Sequence, residues 1–331
     1  MNRRNIAIVL VNWRRSNDTC ACIESLLRSS NRSWSVLICE NGSLDGSEAA
    51  LRSFLKERFN ELERLKVDRT DERVYDYFLC DATAPQATLI VSPRNLGFAG
   101  GNNIAYKNRF LGSDFDYVWF LNNDTEIEPL ALDCLISRME QDRTIGICGS
   151  TLVFNHDRKS VQAFGGATYS ALFGSVQEIG NGKTWPCDVD QNAVERDMSY
   201  VSGASMIVSA VFLEKVGLMA EDYFLYYEEI DWAERARHAG FRLGYAKEAV
   251  VYHKEGSALG SGRSQQRSAL AEYYGVRNRL VITRRFFPWA LPTVFLFCWL
   301  QVAKRLTQGH WSRARLMAGV LLGIRRSAPD S

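Results

Sequence analysis

The sequence lacks the features that mark several common protein classes. Its eight cysteines (20, 22, 39, 80, 134, 148, 187 and 298) include no C-x-x-C pair and no zinc spacing. Several sit inside apolar runs such as VLICE and IGICGS, as reduced, partly buried thiols of a cytosolic protein do. No G-x-G-x-x-G follows the first apolar run and no G-x-x-x-x-G-K-[ST] occurs, which argues against a dinucleotide or P-loop site. No internal repeat is visible. The longest apolar stretch, WALPTVFLFCWLQVA (289–303), is shorter than the roughly 20 residues that cross a bilayer as a helix. The start, MNRRNIAIVLVNWRR, imitates a signal peptide, but the run is short, basic residues follow it, and no small-residue cleavage site appears. It reads as a first buried strand, so the N-x-S/T matches at Asn17, Asn31, Asn41 and Asn123 carry little weight. Acidic residues are missing between Tyr273 and Pro329, where Arg277, Arg279, Arg284, Arg285, Lys304, Arg305, Arg313, Arg315, Arg325 and Arg326 all fall. The formal net charge of +2 gives no sign of a nucleic-acid binder.

What is present is an alternation. IAIVLVN, WSVLICE, ATLIVSP and DYVWFLNN are each followed by an amphipathic stretch, the pattern of a parallel sheet covered on both faces. Asn17 or Asp18, Asp45, and the segment Glu126 to Pro129 offer helix-start chemistry. The charged interval of about 60–87 reads as an insertion. GICGSTLVF, VQAFGGATYS and SYVSGASMIVSA then read as strands without intervening helices. A helix begins near EEIDWAERARHAG, with Gly240 as a C-terminal cap, and FRLGYAKEAVVYH gives one or two more strands. KEGSALGSGRSQQ reads as a loop, and the remainder is helical, apolar and basic.

Ligands of a parallel α/β sheet sit beyond the carboxyl ends of its strands. Four successive ends here are polar: VNWRRSND, CENGSLDGS, PRNLGFAGGNN and LNNDTEI. Any one is explained as a polar loop; four in register form a ligand crevice.

The order VNW, ENGSLDGS, NLGFAGGNN, LNNDTEI, GASMIV, YYEEIDWAERARHAG, VVYHKEGSALG resembles the family 2 inverting glycosyltransferases of the GT-A fold, from about residue 5 to 285. It is nearest their bacterial rhamnosyltransferase-like branch. The resemblance implies a nucleotide-sugar donor, with base and ribose held by Val11, Asn12, Trp13, Glu40, Asn41 and Asp45. Relatives usually carry Asp at Glu40; either carboxylate can accept the N3–H of uracil or thymine. It further implies Asn95, Gly97 and Gly100 on the nucleotide side, together with Gly203 from GASMIV. The D-x-D-like metal motif reads Asn122-Asn123-Asp124, and Mg²⁺ or Mn²⁺ would neutralise a departing diphosphate. Asp124 is then the metal ligand, Asn122 a weaker contact, and His253 the histidine that completes the metal site. Glu229 falls on the general-base position, with Asp231 in support and Glu228 the next candidate.

Each residue has a plainer reading: Asp45 and Asp124 as helix caps, His253 as a structural histidine, and Glu229 and Asp231 as first-turn acids serving the helix dipole. The expected organisation is a catalytic domain over 1–268 and a helical region over 269–331. The expected setting is cytoplasmic, on the inner face of a membrane. Trp289, Trp299, Leu306, Trp311, Leu316, Met317, Val320, Leu321 and Ile324 among arginines have the composition of an interfacial helix on an anionic surface. The alternative is packing onto the catalytic domain or a second copy of the chain, as a homodimer. The expected donor is dTDP-rhamnose and the acceptor a glycan or lipid-linked sugar. UDP-linked GlcNAc, galactose or galactofuranose, or a catalytically silent binder of nucleotide-sugars, are the alternatives.

Overall fold

The computed structural model describes residues 5–61, 66–67, 72–78, 86–110, 115–254, 268–325 and 327–328. The KEGSALGSGRSQQ segment lies, but for its first residue, outside them. The first part alternates as expected: β1 (Ile6–Asn12), α1 (Ser16–Leu27), β2 (Trp34–Asn41), α2 (Ser47–Arg58). The charged interval carries β3 (Asn60–Glu61), β4 (Lys66–Val67) and β5 (Arg73–Phe78) before β6 (Gln86–Ser92), with β5 between β6 and the two short strands. There follow α3 (Gly97–Phe110), β7 (Tyr117–Leu121), β8 (Thr125–Ile127), α4 (Ala131–Gln141) and β9 (Ile145–Phe154).

β6, β2, β1 and β7 form a parallel block. Every residue of β1 but Val11 is buried, and each such aliphatic side chain contributes about 1.5–3 kcal/mol. β5 extends the block antiparallel to β6. On the other side come antiparallel β14 (Ser205–Ser209), then β9, β15 (Arg242–His253) and β8, with β9 and β15 parallel. The sheet is thus mixed, with a mainly parallel centre and helices on its faces.

Between β9 and β14 the expectation of strands alone is corrected. β10 (Val161–Phe164), β11 (Gly166–Ser170) and β12 (Ser175–Glu178) are followed by α5 (Gln191–Asp197) before β13 (Tyr200–Val201). Asp190 caps α5 by accepting from Ala193 N, a signal hidden in a short polar segment. Then come α6 (Ala210–Val216) and α7 (Glu228–His238); Gly240, at φ +83°, follows the end of α7. The helix expected after DYVWFLNN is α4, which begins at Ala131; the TEI of LNNDTEI forms β8, and Asp124 is not the helix's cap.

α8 (Ala269–Phe286), α9 (Leu291–Thr307) and α10 (Trp311–Leu321) share a core of their own. On α9, Val294, Cys298 and Val302 recur every four residues and are buried, while Leu296 and Leu300 are 60% and 59% exposed on the opposite face. Of the expected interfacial set, Leu316, Met317 and Leu321 are buried instead, and Trp289, Leu306, Trp311 and Ile324 remain exposed. Among the described residues no helix is long and apolar enough to cross a membrane.

Candidate active site

The polar strand ends open onto a cavity of about 500 Å³, walled on its far side by the segment Phe224–Ile230 and by α8. Val11, Trp13, Asn41, Asn95, Gly97, Asn122, Asn123, Asp124, Gly203, Glu229 and His253 all line it.

Topology explains how residues 130 apart meet. β7 ends at Leu121, the chain turns through Asn122–Asp124, and β8 pairs with the end of β15 so that Thr125 faces His253. Thr125 Oγ1 closes the turn on Asn122 O (2.7 Å). His253 Nε2 then lies 3.2 Å from Asp124 Oδ1 and 3.3 Å from Asn122 Nδ2, and both Asp124 and His253 are largely buried. On the other side of the ring, Gln162 Oε1 accepts from Nδ1 at 2.9 Å. This holds the ring with Nε2 towards Asp124, the second-partner arrangement typical of a metal-binding histidine. Among the described residues no group of three His, Cys, Asp or Glu could hold a metal. One carboxylate and one imidazole nevertheless fit an ion such as Mg²⁺ or Mn²⁺, which keeps waters and takes substrate phosphates as ligands. Donors about 2.1 Å from an octahedral ion lie about 3 Å apart when adjacent, close to the observed spacing.

Several expected residues hold the wall rather than forming its surface. Asn12 is fully buried and its Oδ1 accepts from Thr19 Oγ1 (2.8 Å), which in turn accepts from Asn123 Nδ2 (2.9 Å). Asn41 clips the β6–α3 turn: its Oδ1 accepts from Leu96 N, and its Nδ2 donates to Asn95 Oδ1 and Gly97 O. Gly97 has φ +74°, and a side chain there would strike the Phe224 carbonyl, to which Phe98 N donates at 2.8 Å. Gly100 is buried inside α3 against Leu96. Glu40 is buried, and its Oε1 accepts from Ser43 N at 3.0 Å, off the cavity lining. Asp45 is exposed and turns back to accept from Ser47 N, which holds its carboxyl below the usual range.

Opposite, α7 presents two carboxylates. Glu229 packs on Gly203, where an added Cβ would lie 2.5 Å from Glu229 Oε1. Burial pushes Glu229 up to about 7. Burial, and then the charge of Glu229, pushes Glu228 well above the carboxylate range, and its Oε2 has no hydrogen-bond partner among the described residues. Asp231, on the same helix, faces elsewhere. It is fully buried and off the cavity lining, accepting from Arg235 Nε (2.6 Å), Tyr223 OH (3.0 Å) and Arg285 Nη1 (2.6 Å).

The segment before α7 is strained: Phe224, Tyr226 and Tyr227 all have positive φ, a conformation costly for large side chains. Asn278 of α8 secures it, its Nδ2 donating to the carbonyls of Tyr223, Leu225 and Tyr226 at 2.7–3.1 Å. Sequence reasoning missed Asn278, Gln162, Thr19 and Arg279, which also lines the cavity. Only the RNR run around Asn278 hinted at them, as charge.

A strand-end crevice faced by an acid-bearing helix, on this mixed sheet, is the architecture of a GT-A glycosyltransferase. The sequence profile of glycosyl transferase family 2 matches residues 7–196. This is more than half of the chain; the protein belongs to that family and is a glycosyltransferase. An N-acetylglucosaminyl-diphospho-decaprenol L-rhamnosyltransferase of Mycobacterium tuberculosis is 23% identical over 260 residues, 72% of either chain. A low-salt glycan biosynthesis hexosyltransferase of Haloferax volcanii is 23% identical over 199 residues, and the match spans only 60% of its length and 60% of this chain. Among solved structures, a mannosyltransferase of Pyrobaculum calidifontis in complex with GDP-Man and Mn²⁺ superposes with a TM-score of 0.54 at 13% identity. The match covers 98% of this chain and 82% of that one.

Proposed function

We propose that the chain transfers a sugar with inversion from a nucleotide-sugar, most specifically L-rhamnose from dTDP-rhamnose, to a lipid-linked acceptor used in cell-surface glycan synthesis. The observation that carries this reading is Glu229. It is a carboxylate held near pKa 7 in the wall of the cavity that Asp124 and His253 also line.

In this reading Glu229 accepts the proton of the acceptor hydroxyl as that oxygen bonds to the anomeric carbon from one face. The bond from the anomeric carbon to the diphosphate oxygen breaks on the other face, and the nucleoside diphosphate leaves with the electron pair. A single carboxylate suffices, in contrast to the acid–base pair of glycoside hydrolysis. Asp124 and His253 would hold Mg²⁺ or Mn²⁺, whose charge lowers the cost of the departing diphosphate. The strand-end residues Val11, Trp13, Asn41, Asn95 and Asn123 would hold the nucleotide. Glu40 and Asp45 would support that wall through the turn after β2, and Asn12 through Thr19. The mycobacterial relative's name supports rhamnose and a lipid diphosphate, and the amide-rich strand ends suit a pyrimidine edge.

The exposed apolar face of α9, flanked by basic residues and with no acid from Tyr274 to Ala328, supports attachment to an anionic membrane surface on the cytoplasmic side. Truncation before Phe287 should abolish salt-sensitive sedimentation with anionic liposomes; full-length protein that stays in the supernatant contradicts attachment.

The donor is tested by thermal denaturation against nucleotide-sugars with and without Mn²⁺. At 100 times its dissociation constant the right donor adds about 2.7 kcal/mol. A larger midpoint rise with GDP-mannose than with every dTDP- and UDP-sugar contradicts the pyrimidine reading.

A further inference from the structure

The cavity is acidic where phosphates must enter. Asp124, Glu178, Glu228 and Glu229 line it, and Arg279 is the only Lys or Arg among its described lining residues. Arg279 belongs to α8, outside every motif of the strand ends. Its Nε donates to Tyr227 OH (3.1 Å), and its Nη1 donates to Gln301 Oε1 (2.9 Å) and meets Cys298 Sγ (3.7 Å). Its Nη2 has no hydrogen-bond partner, and no carboxylate pairs with the guanidinium, among the described residues. A partly buried guanidinium without a counter-ion is costly unless an anion completes it. The planar fork suits a phosphate, bound through two parallel hydrogen bonds.

The surroundings of Arg279 say which phosphate. It lies against the turn between β11 and β12, with Gly174 beneath its side chain, and its guanidinium is 5.6 Å from the Phe297 ring of α9. That turn is fastened to α9: Phe173 and Phe297 pack at 5.7 Å, and Thr293 Oγ1 donates to Leu172 O. Leu172, Phe173, Leu296 and Leu300 are exposed, and Phe173 packs on Phe297, the ring beside the guanidinium. The nucleotide of a donor would instead occupy the strand ends on the opposite wall.

We infer that Arg279 binds the phosphate of a lipid-linked acceptor, and that the β11–β12 turn and the outer face of α9 receive its apolar chain. The sugar of such an acceptor then reaches Glu229, which follows Tyr227, the partner of Arg279. The inference rests on the transferase reading and names the site of its lipid-linked acceptor.

Binding tests it without turnover. Full-length protein in EDTA, where no metal can hold a diphosphate, is titrated with farnesyl diphosphate, farnesol and inorganic diphosphate, and separately with dTDP in Mn²⁺. The expected result is farnesyl diphosphate bound at least about tenfold tighter than either fragment. Arg279→Gln should lose about 10- to 100-fold of that affinity while binding dTDP as before. The pair Leu296→Glu with Leu300→Glu, at two exposed positions, should weaken farnesyl diphosphate and leave inorganic diphosphate unchanged. It keeps the test decisive should Arg279→Gln fail to fold. Unchanged farnesyl diphosphate affinity in these variants overturns the inference, as does an Arg279→Gln loss confined to dTDP. If the expected binding holds but no nucleotide-sugar is ever turned over, the transferase reading fails and the phosphate–lipid site stands.

Discussion

The two walls of the cavity are built by different means. One is made of strand ends whose amides bond to one another, Asn41 to Asn95 directly and Asn123 to Asn12 through Thr19 of α1. The other carries Glu228 and Glu229 on a segment with three non-glycine residues at positive φ, held from α8 by Asn278 and by Arg285 through Asp231. The first wall is held by side-chain amides and a hydroxyl that bond across neighbouring strand ends. The second is strained and depends on chain about 50 residues further on. α8 is therefore part of the cavity's architecture, whatever surface the C-terminal helices also contact.

The sharpest way to break this contrast is at Asp231. Its removal leaves Arg235 and Arg285 without their shared carboxylate. Asp231→Ala should cost about 3 kcal/mol, the low end for a broken buried pair, because both arginines reach solvent. Denaturant midpoints check it; an unchanged midpoint means the second wall does not need this anchor. On the strand-end wall Asp124→Ala should leave stability nearly intact and lower donor turnover by about 10²- to 10³-fold. Equal metal-dependent turnover in the folded variant removes Asp124 from the site. Asn278→Ala deletes three hydrogen bonds to the strained carbonyls and should cost about 1–3 kcal/mol. Its mark is a fall in kcat with donor affinity kept, since the donor wall is untouched; a loss of donor affinity alone reverses the assignment of walls.

The same contrast explains what the sequence revealed. Strand ends are legible because apolar runs locate the strands and the parallel arrangement gathers their ends, so the pattern of the chain alone places Asn122–Asp124, Asn41 and Asn95 in one crevice. Glu229 was legible only through the resemblance, because EEID at a helix start is ordinary dipole chemistry, and nothing local separates Glu229 from Asp231. Burial separates them: the first faces the cavity and the second is enclosed by two arginines and Tyr223. Glu40 was placed at the nucleotide base by the resemblance alone; in the structure its Oε1 accepts from Ser43 N in the turn after β2. Arg279, Asn278 and Gln162 were invisible because their roles come from contacts across the fold rather than from spacing along the chain.

Glu229 also links stability to function. Its pKa is raised in the fold, so ionisation is dearer there than in the unfolded chain. Its contribution to stability is therefore largest below pH 4.5 and is lost as pH rises through about 7. Glu229→Gln should raise the thermal midpoint slightly, by an amount that grows between pH 5 and pH 8; a gain only at low pH contradicts the shift.

The most direct test of the account is the pH dependence of kcat/KM for donor turnover in the wild type and in Glu229→Gln. With Glu229 as the base, wild-type kcat/KM should fall about tenfold per pH unit below about 7 and level off above it. Glu229→Gln should be lower by about 10²-fold or more and lack that inflection. A wild-type profile flat from pH 5 to 8, or a variant that follows the wild type, contradicts the assignment of Glu229.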